Sequence, residues 1–236
     1  MRHNGIRCAE ERPKHILRLL IGPLGSLNVP AQRKERPEGF STAAKAMADE
    51  EPQERYLFGG AFSACLPPGG LDISEMRQVP DNQEVFVHPS TDQSIIVELL
   101  EYQAGVADEN AARFHFEDIA GNSANSEILS QTQFAPALLA FEGCSSSWQL
   151  AGHQQVAKFN EEAKNDVAVH LVLLRLPQYG TDLLVTFNDP TWINPLSTSA
   201  AQSTEVPLSL SRPPWTVEHF HAFVCSLRLL DPGLFG

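Results

Sequence analysis

The sequence has no apolar run near the ~18 residues that a membrane-spanning helix needs. Its most apolar stretch, Val167 to Leu176, is interrupted by His170 and Arg175 and reads as a long buried strand. Lysine is scarce: after Lys45 only Lys158 and Lys164 remain, and neither follows a glycine-rich loop. Without a G-x-x-x-x-G-K-[ST] run there is no P-loop cradle for phosphates. No G-x-S-x-G nucleophile elbow is present, and Ser145-Ser146-Ser147 after Cys144 reads as the loop before a strand carrying Trp148. The four cysteines, Cys8, Cys65, Cys144 and Cys225, are far apart with no C-x-x-C pair. They fit free thiols in a reducing compartment. His219 and His221 are two apart on an expected helix and point to nearly opposite sides, while His88, His115, His153 and His170 are isolated. No metal site follows from such spacing. Glu98 and Glu101, on one expected strand, face opposite sides of a sheet and make a poor acid–base pair. Neither enzyme chemistry nor a cofactor is expected.

What is present is a globular composition, 236 residues with 42% apolar and 19% charged, which fits one large domain or one domain with a tail. The net charge of −12 is unevenly distributed. Residues 1–46 hold nine of the seventeen Lys and Arg but four of the twenty-nine acids, a net +5. The remaining 190 residues carry eight Lys and Arg against twenty-five acids, a net −17. So acidic a body is repelled by a phosphate backbone, which excludes nucleic acid as its partner. A basic protein surface is the natural complement. A cleaved leader is not expected: Arg18 splits the apolar run Ile16 to Ile21, no small-residue cleavage site follows, and Glu10 and Glu11 sit badly in a transit peptide.

Residues 1–54 are expected to be a poorly ordered basic extension, with Met47 as the start of a shorter form, and 55–236 to be an ordered α+β domain. Strands are expected over Phe58 to Leu66, Glu84 to His88, Ser94 to Glu101, Ile128 to Phe134, Ser146 to Phe159, Val167 to Leu176 and Asp182 to Phe187. The later ones follow one another without helices, so the sheet should be mostly antiparallel. Asp72 caps one or two helical turns ending before Pro80. Helices are expected over Asp108 to Ile119, with Asp108 as cap, and over Thr216 to Leu230, stopped by Asp231-Pro232-Gly233. Phe114, Phe116, Phe220 and Phe223 are read as core. Pro190 to Pro214 is read as a long loop, and Glu161 and Glu162 as a loop away from any site.

The run Val79-Pro80-Asp81-Asn82-Gln83-Glu84-Val85 sets two acids three apart, with two amides between them, just after a proline and just before a strand. On physical grounds it reads as a solvated turn entering a strand. The run belongs, however, to a wider set: Leu57-Phe-Gly-Gly-Ala-Phe-Ser-Ala64, Pro67-Pro-Gly, Asp92-Gln-Ser-Ile-Ile-Val-Glu-Leu-Leu-Glu101, Phe114-His-Phe-Glu-Asp118, Leu174-Arg-Leu-Pro-Gln-Tyr179 and Thr181-Asp-Leu-Leu184. Together these segments, from about Tyr56 to Gly236, resemble the Ran guanine nucleotide release factors. Residues 1–46 lie outside the resemblance, and the stretch between Ile119 and Gly143 supplies no matching motif.

The resemblance implies a PsbP-like α+β domain, an antiparallel sheet of about six strands with helices packed on its faces. It implies a non-enzymatic regulator that binds the small GTPase Ran, promotes release of its nucleotide and affects nuclear protein transport, in nucleus and cytoplasm. A monomer without membrane insertion is expected. The family's sensitive acids match Asp81 and Glu84, with Asn82, Gln83 and Arg77 completing the expected partner-binding set. Both acids should lie exposed on the sheet rim, since Pro80 and Asn82 mark a turn and Val85 begins a buried alternation. A carboxylate offered to the vacated P-loop lysine, or to a basic surface near the switch loops, would favour the nucleotide-poor state. Both geometries stay open at this stage. Vertebrate relatives are also linked to surface delivery of a voltage-gated sodium channel, so the competing reading is a trafficking adaptor for a channel's cytoplasmic segment, without exchange activity.

Overall fold

The computed structural model describes residues 52–121, 125–135, 138–140, 143–157, 163–197 and 212–236. The expected extension therefore lies outside the described residues up to position 51, as do Cys8, Glu161, Glu162 and positions 198–211 of the expected Pro190 to Pro214 loop. Among the described residues ten strands form two antiparallel sheets. The large sheet contains β3 (Leu71–Asp72), β4 (Gln83–Val87), β5 (Ser94–Glu101), β6 (Ser126–Gln133), β7 (Ser146–Ala157), β8 (Lys164–Leu176) and β9 (Thr181–Trp192), in the order β3-β4-β5-β9-β8-β7-β6. The small sheet is β1 (Gln53–Leu57), β2 (Phe62–Leu66) and β10 (Arg228–Leu229), in the order β1-β2-β10. Among the described residues the α-helices are α1 (Asp108–Ala120) and α2 (Val217–Ser226).

Three layers result, because both faces of the large sheet are apolar. One face carries Phe86, Val97, Val172, Leu174 and Val185 and packs against α2 and the small sheet through Phe220, Phe223, Leu57 and Phe62. The other carries Leu150, Val169, Leu171 and Leu184 and packs against α1 through Ala111, Ala112 and Phe116. Strands buried on both faces lose their alternation and read as continuous apolar runs, as β8 and β9 do. A small satellite of Ile73, Val85, Val87 and Ile96 tucks the Leu71–Val79 segment onto the β4 end of the sheet.

Several sequence expectations need correction. The sheet system is larger than about six strands. Gln53 and Glu54, read as tail, begin β1, whose first four residues are all exposed and so show no alternation. The expected strand Phe58 to Leu66 is a 3-10 turn at Phe58–Gly60 followed by β2. Ala107, not Asp108, is the N-cap of α1, and it makes no side-chain cap bond; Asp108 instead accepts a bond from Arg175. Helix α2 stops at Ser226, because Leu227 turns to extended geometry and Arg228 and Leu229 pair with Ser63 and Phe62. Phe114 is 41% exposed on the outer face of α1 and is not core. The Asp72 cap is present, its carboxylate accepting the Ser74 N–H at 2.8 Å.

Candidate functional site

The start of β4 is held by its own turn. The Gln83 N–H donates to the Pro80 carbonyl at 2.9 Å, which closes the turn that follows the proline. Asn82 pins this turn to the end of β5: its carbonyl accepts the Leu99 N–H at 2.9 Å and its Nδ2 donates to the Leu99 carbonyl at 3.1 Å. Asp81 projects from this braced turn and is exposed. A carboxylate fixed in place yet open to solvent loses little side-chain freedom when a cation meets it.

The next two residues point to opposite faces, as a strand requires. Gln83 is buried on the α1 side, where its Nε2 donates to Glu98 Oε1 at 2.7 Å across the β4–β5 ladder. Its Oε1 has no hydrogen-bond partner. Glu84 lies on the other face, half-buried beneath the small sheet. Its Oε1 accepts the backbone N–H of Phe58 at 2.5 Å, tying β4 to the Phe58–Gly60 turn. Burial pushes the Glu84 carboxyl above its usual range; the Phe58 N–H opposes this and the nearby Asp72 charge reinforces it. Arg77 is half-buried at the end of the Ile73–Glu75 turn, its N–H donating to the Ile73 carbonyl at 3.0 Å, and burial lowers its guanidinium pKa.

The five residues singled out by sequence thus do not share one surface. Asp81 is exposed; Asn82 and Gln83 brace the sheet; Glu84 faces inward rather than lying on the rim. The correction has a plain cause: the Phe58 N–H that engages Glu84 comes from a segment 26 residues away in the chain. Sequence reading also missed the Phe58–Gly60 turn as a structural partner of Glu84, although Gly59-Gly60 is its visible signal. It missed the buried cluster of Arg175, Asp182 and His115 as well, for which an arginine inside the apolar run of β8 is the signal.

Cys65, Cys144 and Cys225 are free thiols. Among the described residues no group of three or more His, Cys, Asp or Glu converges as a metal site, and no helix is long and apolar enough to cross a membrane. His219 serves a local role: it forms a reciprocal cap with Thr216 at the start of α2, its Nδ1 accepting the Thr216 N–H at 3.1 Å.

Comparison with known proteins agrees with this architecture. The family model described as Ran-interacting Mog1 protein matches residues 55–190. A Ran guanine nucleotide release factor of Danio rerio is 54% identical over 187 residues, spanning 77% of this chain and 99% of the relative. The protein of the same name from Homo sapiens is 51% identical over 183 residues, spanning 76% of this chain and 95% of the relative. The 1.9 Å crystal structure of the Saccharomyces cerevisiae Ran-binding protein MOG1P superposes with a TM-score of 0.55 at 25% identity, covering 79% of this chain and all of that one. The chain belongs to the Mog1 family of Ran-interacting proteins.

Proposed function

We propose that this protein binds the small GTPase Ran and promotes release of its guanine nucleotide, in the service of nuclear protein transport. The observation that carries the reading is Asp81: an exposed carboxylate on a braced turn, in a domain whose relatives bear the name of Ran release factors. A GTPase holds its nucleotide with a P-loop lysine, backbone amides and Mg²⁺, so its nucleotide-poor state exposes positive charge. A protein that binds that state better than the loaded one shifts the equilibrium toward release by the difference in affinity. Asp81 supplies the complementary charge, and the net −17 of residues 47–236 steers the encounter with a basic surface. No step in this account is enzymatic, and the work belongs to nucleus and cytoplasm.

The test is to mix the protein with Ran carrying a fluorescent nucleotide and follow its loss. A release rate that climbs with protein concentration supports the proposal, and an unchanged rate over a wide range overturns it. A pull-down recovering a voltage-gated sodium channel segment and no Ran would replace it with the trafficking-adaptor reading.

A further inference from the structure

We infer that Glu84 serves partner binding by positioning, and that the Phe58–Gly60 turn it holds is a second contact element beside Asp81. This rests on the Ran-binding reading above. Glu84 is poorly placed to meet a partner's cation: it is half-buried, and one oxygen already accepts the Phe58 N–H. Asp81, three residues away and so within about 11 Å of chain, is the open carboxylate.

The turn itself is unusual. Phe58, Gly59 and Gly60 have φ values of 51°, 66° and 99°, and Phe58 is the sole non-glycine residue with positive φ among the described residues. A left-handed conformation is unfavourable for a bulky residue and persists only where its surroundings over-determine it. Here they do. Glu84 holds the Phe58 N–H, the Phe58 ring packs edge-on against Phe62 at 6.0 Å, and the Ala61 carbonyl accepts N–H bonds from Leu230 and Asp231.

What the turn presents outward is open. A Cβ built on Gly59 or Gly60 meets nothing within 4 Å, so these glycines answer to their φ and not to packing. Gly59 is exposed. Tyr56, just ahead of the turn on β1, is 71% exposed, and tyrosine is among the side chains that anchor protein interfaces. Glu84 thus ties a constrained backbone corner, with an exposed aromatic ring just ahead of it in the chain, to the strand that begins at Gln83, just after Asp81.

The experiment measures affinity of the full chain for Ran, together with hydrogen exchange at the Gly59 and Gly60 amides, for Glu84→Gln and Glu84→Ala. Glutamine keeps an acceptor for the Phe58 N–H and removes the charge. The expected result is binding within about threefold for Glu84→Gln, a loss of about tenfold or more for Glu84→Ala, and faster exchange at the turn in Glu84→Ala alone. Equal losses in both variants with unchanged exchange at the turn would overturn the inference, since the charge would then meet the partner directly. Normal binding by Glu84→Ala would overturn it too. If Glu84→Ala does not fold, Glu84→Gln decides alone: retained binding supports the inference and a tenfold loss overturns it. Failure of the unsubstituted chain to bind Ran would instead sink the Ran reading itself, and this inference with it.

Discussion

Arg175 and Asp182 face each other across the β8–β9 ladder with neither side chain exposed, Nε donating to Oδ1 at 3.1 Å. Three of the four remaining guanidinium hydrogens reach the connection between β5 and α1: Nη1 to the Val106 carbonyl at 2.8 Å and Asp108 Oδ1 at 2.6 Å, Nη2 to the Gln103 carbonyl at 2.7 Å. The Tyr102 ring lies 4.2 Å from the guanidinium carbon, and His115 Nε2 meets Asp182 Oδ2 at 3.1 Å. One buried cation thus fastens the loop and first turn of α1 to the sheet.

Removing Asp182 takes from the buried guanidinium its one fully buried counter-charge and leaves only the part-exposed Asp108. Asp182→Ala should therefore cost about 3–5 kcal/mol of stability. Urea unfolding measures this directly; a change under about 1 kcal/mol, the scale of an ordinary surface substitution, would contradict the role assigned to the pair.

Stability should also fall in mild acid, and His88 gives part of the reason. Its ring is fully buried against Trp215, with the Ser90 N–H donating to Nδ1 at 3.2 Å and Nε2 donating to the Pro213 carbonyl at 3.0 Å. Burial lowers its pKa; the Pro213 bond opposes this and Arg212 adds to it. The unfolded chain, with an ordinary value near ~6.5, then takes up the proton first. The contribution is intact above that value, begins to be lost as pH falls below it, and is gone once pH passes the folded value. His88→Gln should flatten this limb of a melting-temperature profile. An unaltered acid limb in that variant would remove His88 from the explanation.

Gly152 allows α1 to seat on β7. A Cβ there would lie 2.6 Å from two ring atoms of Phe116 and 2.9 Å from the Glu127 carbonyl oxygen. The ring is enclosed and the carbonyl belongs to β6, so neither yields cheaply. Gly152→Ala should destabilise by about 1–3 kcal/mol, and adding Phe116→Leu should recover part of it. A fully stable single variant would mean that α1 shifts freely on the sheet.

The parts legible in the sequence were those whose burial follows a local period. Ser94–Glu101 is β5 as read from its run of β-branched and aliphatic residues, and Ala112 and Phe116 mark the buried stripe of α1. The parts that were not legible depend on partners distant in the chain. Four exposed residues of β1 carry no alternation, and β10 hides inside a helical-looking stretch, so the small sheet went unseen. Without that sheet, nothing marks the face of β4 that holds Glu84 as covered. Arg175 is the same case: its ligands at positions 103, 106 and 108 lie 67 to 72 residues away. The turn carrying Asp81 and the strand carrying Glu84 were therefore legible in sequence, but the inward placement of Glu84 against the Phe58 N–H was not.

The affinity of the Asp81→Lys variant for Ran tests the account most directly. Because Asp81 is exposed, the substitution should change stability by less than about 1 kcal/mol. Reversing a charge that meets a basic group in a dehydrated interface should weaken binding by about a hundredfold or more. Glu117→Lys, which alters an exposed acid on α1, serves as control and should bind within a few-fold of the unsubstituted chain. A folded Asp81→Lys protein that binds Ran and releases its nucleotide as the unsubstituted chain does would contradict the account.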